Sequence, residues 1–222
     1  GPAVAELQRL FVDSWAKQQC DGERIGELTG TLFPALAAAG DDIVKIVGSS
    51  PDAMMNRMYL TLIAVITYAK KSVDLTAAYF IPDPDTIMAL TAAAERGVRV
   101  RLLLPGITDS WLALYGGRSH YDALLASGVH IFEHRDTLLH AKTAIIDGIW
   151  STVGSSNLDW RSFAYNDEVN AIVLGPTFGD RMTRVFEDDL SAAVKITPET
   201  WAARSVTERL REWFARRWDR LL

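Results

Sequence analysis

HAKTAIIDGIWSTVGSSN, residues 140–157, is the stretch from which the rest of the chain can be read, with Glu168 eleven positions after its last residue. Its spacing is His140-x-Lys142, four residues, Asp147, six residues, Gly154-Ser155-Ser156-Asn157. Ala141 to Ile146 is apolar or β-branched apart from Lys142, and Asp147-Gly148 is a turn signal. The segment therefore predicts a strand entering a two-residue hairpin turn, with Trp150 to Val153 returning. Alternation along a strand would put His140 and Lys142 on one face, roughly 7 Å apart. An imidazole and an ammonium cannot share an apolar core without a large desolvation cost, so that face is expected to open into a polar pocket.

The chemistry of such a pocket follows from its residue types. Lys142, Ser155, Ser156, Asn157 and backbone N–H groups are donors, which suits the oxygens of a phosphodiester. His140 is the group that can attack phosphorus or shuttle a proton near neutral pH. Glu168, folded back onto one ring nitrogen, would fix the tautomer. Lys142 and Asn157 would stabilise charge building on non-bridging oxygens. Asp147, at the turn, is expected to cap the hairpin backbone and not to meet substrate.

This pattern, H-x-K-x4-D-x6-G-S-x-N, resembles the phospholipase D superfamily signature. The resemblance implies a histidine acting as nucleophile or general acid, a lysine and an asparagine binding phosphate, and a later glutamate orienting the histidine. Those roles fall on His140, Lys142, Asn157 and Glu168.

Outward from the signature, the chain reads as one α/β domain over residues 1–222. Ala3 to Lys17 has helical periodicity behind Pro2, and Asp42 to Gly48 reads as a strand. The glycine-punctuated stretch from Cys20 to Gly40 reads as a loose connection, and Ser49 to Asp52 as the start of a helix continuing from Asn56 to Lys71. Val73–Phe80, Asp85–Arg96 and Val98–Leu104 form a strand, helix, strand series closed by Gly97, which predicts a parallel βαβ unit. Sites gather beyond the ends of such strands, so Ile107 to Gly117 is a candidate substrate loop with Asp109, Trp111 and Tyr115 able to line it. A plain surface loop is the competing reading there. Arg118 to Ser127 reads as a helix carrying Arg118 and His120 in its first turn, and His120 is a further candidate because it neighbours Arg118. Val129–Phe132, Val169–Leu174 and a helix from about Thr177 to Leu190 complete the expected mixed sheet with helices on both faces.

Residues 205–222 form an amphipathic C-terminal helix in which arginine and tryptophan alternate. It suits either a membrane interface or packing against the domain. A net charge of −5 argues against broad nucleic-acid binding, and a single cysteine, Cys20, excludes an internal disulfide. No signal peptide or membrane-length apolar run is visible, and no histidine spacing suggests a metal. No cofactor is expected.

Further segments, Tyr79-Phe80-Ile81-Pro82-Asp83, Arg118-Ser119-His120-Tyr121, Asn157 to Ser162 and Glu168-Val169-Asn170, resemble the C-terminal half of bacterial cardiolipin synthases. That resemblance runs along almost the whole chain and implies a phospholipase D-like α/β/α sandwich. It also implies a phosphatidylglycerol-like substrate, a phosphohistidine intermediate and a cytoplasmic location peripheral to the membrane. Those enzymes use two signature copies, one histidine attacking and the other donating a proton to the leaving alcohol. Only one His-x-Lys occurs here. The chain is therefore expected either to pair with another copy or, the favoured expectation, to be a fragment whose partner half lies elsewhere and which is nearly inactive alone. A dimeric nuclease of the same superfamily and a silent interaction module are the alternatives.

Overall fold

In the computed structural model, residues 1–18, 30–51 and 56–218 are described. Helix α1 (Ala3–Lys17) precedes β1 (Ile43–Ser49), α2 (Arg57–Tyr68), β2 (Ser72–Thr76), α3 (Pro84–Glu95) and β3 (Arg99–Pro105). Then come α4 (Trp111–Arg118), α5 (Tyr121–Ala126), β4 (His130–His134), β5 (Thr143–Ile146) and β6 (Trp150–Gly154). The chain continues through α6 (Trp160–Ala164), β7 (Glu168–Leu174), α7 (Pro176–Ser191), β8 (Val194–Ile196), α8 (Pro198–Ala202) and α9 (Val206–Ala215), with a 3-10 turn over Arg216–Trp218. Most of the connection expected from Cys20, Asp52 at the start of the following helix, and the last four residues of the C-terminal helix lie outside the described residues.

Eight strands form one mixed sheet in the order β1-β7-β6-β5-β2-β3-β4-β8. The pairs β2–β3 and β3–β4 are parallel and the others antiparallel. The parallel core is the expected βαβ unit, and its local cause is legible. Asp83 accepts from Thr86 N at 2.7 Å and caps α3, Pro84 occupies a first-turn position, and Gly97 ends the helix at φ 85°.

Alternation along β3 sets the layers. Val100, Leu102 and Leu104 join a large core under α2, α3 and α5, with Val73, Leu75, Leu90, Leu124 and Ile131. Leu103 faces the other way and packs with Ile145 and Phe186 of α7. Helices therefore cover both faces, as expected. The second face is thinner and holds charge: Arg101 donates to Asp74 at 2.6 and 3.0 Å, reaches Glu187 at 2.7 Å and lies over the Phe186 ring at 5.0 Å. Both partners in that bidentate pair are more than nine-tenths buried, so each satisfies the other's desolvated charge.

Three expectations need correction. The helix expected from Arg118 to Ser127 is two helices, with Ser119 and His120 between them, and most of the expected substrate loop is helical. Ser110 provides the reason, since its hydroxyl accepts from Ala113 N at 3.3 Å and starts α4 at Trp111. Gly117 lets that helix lie against the Phe80 carbonyl, where any Cβ would collide. The hairpin between β5 and β6 has a three-residue turn, Asp147 to Ile149, because Ile146 pairs with Trp150. Asp147 adopts φ 55° and Gly148 φ 68° within it.

Candidate active site

The strands bring one edge of the sheet together. Thr76 at the end of β2 pairs with Thr143 at the start of β5, Gly154 at the end of β6 pairs with Asn170, and Glu168 opens β7 opposite Ser49. His140 and Lys142 lie just before β5, on an extended segment outside the sheet. The Lys142 carbonyl accepts from Gly154 N at 3.2 Å, one step beyond β5, whereas the exposed His140 is not held on a strand face. Lys142 turns back, its Nζ donating to the His140 carbonyl at 2.8 Å.

Lys142 and Asn157 line a cavity of about 30 Å3 with Ser156, Asn170 and Thr76, above the apolar Met58 and Leu75. That is about the volume one water occupies in the liquid, so a phosphodiester would meet these groups from their open side. Burial pushes the Lys142 ammonium below its usual pKa, while Glu168 and Asp159 act to raise it. The Asn157 carboxamide oxygen is buried with no partner among the described residues. A buried acceptor left in this way costs about 1–3 kcal/mol and marks a site where structure serves something beyond stability.

The glycine and serines of the signature build the wall. A Cβ on Gly154 would collide with the Asn170 carboxamide and the Val169 carbonyl, so only glycine allows β6 to approach β7 so closely here. Ser155 Oγ accepts from Val169 N at 2.9 Å and lies 3.3 Å from the Val169 carbonyl. Ser156 Oγ accepts from Asn170 Nδ2 at 2.6 Å. These hydroxyls, expected as donors near phosphate, brace β6 against β7 and so hold Asn157 in place. Asp159 caps α6 through Ser162 N at 2.7 Å, and Ser162 Oγ in turn accepts from Asn157 N at 3.2 Å. Burial raises the Asp159 pKa and its hydrogen bonds with Ser162 oppose that.

Glu168 does not fold onto His140 within this chain. Its Oε1 accepts from Asn166 Nδ2 at 3.1 Å, and no hydrogen bond joins it to the imidazole. Asp147 does not cap its own hairpin. Its carboxylate accepts from the backbone N–H groups of Lys70, Lys71 and Ser72 at 2.7–3.2 Å, pinning the α2–β2 connection to the hairpin. The positive φ of Asp147 swings its side chain across to the neighbouring strand, a direction that turn chemistry alone does not reveal.

The loop candidates separate. Asp109 lies at the rim, accepting from Tyr79 Oη at 2.5 Å and from Thr108 Oγ1 at 3.1 Å. Those two hydrogen bonds lower its pKa, and the charge of His140 adds to the effect. Trp111 is exposed at the head of α4. Tyr115 is buried, its hydroxyl accepting from Arg211 Nη1 at 3.0 Å. Arg118 is partly buried, donating through Nε and Nη2 to Glu133 at 2.8 Å each. Tyr115 and Arg118 are thus structural, because their polar ends are consumed inside the domain. His120 takes the position before α5. Tyr79 went unrecognised as a rim residue from chemistry alone, since nothing local signals its bond to a residue thirty positions away. Among the described residues no group of three or more His, Cys, Asp or Glu side chains is placed to hold a metal ion, and no helix is long and apolar enough to cross a membrane.

Comparison with known proteins places this geometry. Residues 62–190 match the family model described as cardiolipin synthase, PLD-like domain. The chain is 33% identical over 216 residues to a cardiolipin synthase of Geobacillus kaustophilus, covering 97% of this chain and 43% of that protein. It thus spans less than half the length of that relative. Among solved structures, Nuc of Salmonella typhimurium, a phospholipase D family member, superposes with a TM-score of 0.58 at 21% identity, covering 71% of this chain and 99% of that one. Phosphatidylserine synthase of Haemophilus influenzae gives a TM-score of 0.60 at 12% identity, covering 84% and 47% respectively. At those identities the structural likeness speaks for the fold.

Proposed function

The chain belongs to the family of cardiolipin synthase, PLD-like domains, and from that membership we propose that it carries out phosphatidyl transfer on anionic phospholipid as one half of a two-signature site. The observation that supports this reading is the gathering of His140, Lys142, Asn157 and Glu168 at one end of the sheet, with a partly desolvated ammonium beside a carboxamide whose oxygen is buried without a partner among the described residues.

An imidazole nitrogen of His140 attacks the phosphorus of a phosphatidylglycerol-like lipid, and the bond from phosphorus to the headgroup oxygen breaks. A second histidine donates the proton that the departing alcohol needs. The hydroxyl of an acceptor then attacks the phosphohistidine, the phosphorus–nitrogen bond breaks, and the same second histidine takes the acceptor's proton. Lys142 and the amide group of Asn157 hold the non-bridging oxygens throughout. Glu168 orients an imidazole.

The second histidine comes from another signature-bearing half, either a second copy of this chain or a separate segment. An open groove of about 930 Å3 runs beside Glu168, walled by Leu7, Leu10 and Phe11 of α1 together with Ser49 and Arg57. No residue of α1 is buried, and Phe11 and Trp15 are exposed. A second half seated there would cover this apolar face and bring its own charge to the site. The protein would work at the cytoplasmic surface of the membrane as a peripheral enzyme.

The test uses phosphatidylglycerol labelled at phosphorus. The chain is incubated with such vesicles across a concentration range that spans its self-association, then quenched in denaturing detergent at alkaline pH and separated from lipid. Alkali-stable, acid-labile label on the protein is expected, and His140→Ala should carry none. Cleavage of DNA without lipid turnover would replace the lipid reading with a nuclease. A stable dimer that turns over neither would make the chain an interaction module.

A further inference from the structure

The charges of α9 are sorted by face. Glu212 is buried and accepts from Arg204 Nε at 3.0 Å, while Glu208 is spent in a capping box, accepting from Ser205 N at 2.9 Å. Glu212 is thus ion-paired within the domain, while Glu208 keeps its charge at the start of the helix. Beyond Glu208, what the helix turns outward is apolar or cationic. Leu210 and Trp213 are each 59% exposed, and Phe214 and Trp218 remain about half exposed.

Trp111 of α4 extends this surface. Its ring stacks on Phe214 with centroids 6.3 Å apart and planes 22° apart, and Phe214 reaches Trp218 at 6.4 Å. The Arg217 guanidinium lies over the Trp213 ring at 3.5 Å. Among the described residues, the outward arginines donate to uncharged acceptors: Arg209 to the Ala202 carbonyl, Arg211 to the Tyr115 hydroxyl, Arg217 to the Trp213 carbonyl. No carboxylate among the described residues pairs with Arg209, Arg211 or Arg217, on a chain whose net charge is −5.

We propose that this patch docks the protein on an anionic lipid surface, with Trp111, Trp213, Phe214 and Trp218 among the headgroups and Arg216 and Arg217 against phosphates. Tryptophan's amphipathic ring settles at the headgroup level of a bilayer, and each basic residue adds attraction to anionic lipid. An apolar protein partner would leave the guanidinium charges buried without carboxylates, whereas an anionic plane satisfies aromatic and cation together. Placement relative to the site strengthens the assignment. Trp111 follows Asp109 by two residues, and Asp109 stands within electrostatic reach of His140. Docking through Trp111 would turn the rim of the site toward the lipid. This inference rests on the phospholipid reading above and names the surface that serves it.

The experiment is sedimentation of the full chain with vesicles of phosphatidylcholine alone or mixed with phosphatidylglycerol, alongside tryptophan emission. Binding to the mixed vesicles is expected, weakened by salt, with a blue shift in emission. Arg217→Gln should weaken it by about fivefold, and Trp213→Ser by about as much or more, without change in thermal unfolding. His140→Ala should bind like the parent but turn over no lipid, which separates docking from chemistry: turnover retained in that variant with intact binding sinks the catalytic reading alone. Equal binding to neutral vesicles, unchanged binding by both patch variants, or patch variants that instead abolish self-association would overturn the docking proposal.

Discussion

Glu168 supports the positive charge of Lys142 against the burial that opposes it. Desolvation at the cavity wall lowers the pKa of the ammonium, and the carboxylates of Glu168 and Asp159 raise it. The site is thus poised by competing effects, since a less hydrated cation binds phosphate more strongly but surrenders its proton more easily.

Replacing Glu168 by Gln removes one of the charges that keep Lys142 protonated. The lysine pKa, already depressed, should fall further, and phosphate binding needs the charged form. The alkaline limb of kcat/KM should therefore move to lower pH in Glu168→Gln than in the parent. The position of the limb, not its height, is the readout, because lost orientation of an imidazole would lower the rate at every pH. An unmoved limb would remove Glu168 from this role.

Asp147 predicts a change in stability without a change in chemistry. Burial acts to raise its pKa, but the N–H donors of Ser72, Lys70 and Lys71 outweigh it and the pKa is lowered. A carboxylate depressed in the fold stabilises above its unfolded pKa, about 3.9, and that support is lost as pH falls through the folded value. Asp147→Ala should cost about 1–3 kcal/mol near neutral pH, discounted by partial exposure, with a melting temperature lower by a few degrees. The gap between variant and parent should close in acid below about pH 4. Phosphoryl transfer per folded molecule should be unaffected.

Arg118 and Glu133 form a pair in which the carboxylate is fully buried. Arg118→Met should destabilise by about 3–5 kcal/mol, because Arg135, at 2.9 Å from Glu133, supplies only part of the lost compensation. The double variant Arg118→Met with Glu133→Leu should recover much of that loss in a denaturant titration. A substrate-binding arginine would behave differently, losing affinity at unchanged stability.

Tyr79 tests the rim. Its hydroxyl is the first cause of the lowered Asp109 pKa. In Tyr79→Phe the Asp109 carboxyl should titrate at higher pH, closer to an ordinary aspartate, as followed by carboxyl carbon NMR shifts. If it does not move, the 2.5 Å bond is not what holds that charge.

The sequence by itself determined the elements and the chemistry. Apolar runs such as Arg99–Pro105, the capped helix behind Asp83 and the hairpin signal at Asp147-Gly148 specify a mixed α/β sheet, because local propensity and hydrophobic pattern agree along those segments. The spacing from His140 to Asn157 named the candidate residues of the site. Tertiary structure decided where each polar end goes. Asp147 reaches the α2–β2 connection, Arg118 reaches Glu133, Tyr79 finds Asp109, and Glu168 bonds Asn166 with no bond to His140. Partners fifteen to seventy-seven positions apart meet only because strands far apart in sequence lie side by side, and a side chain's hydrogen bond is set by that register and by burial, neither of which one-dimensional spacing encodes.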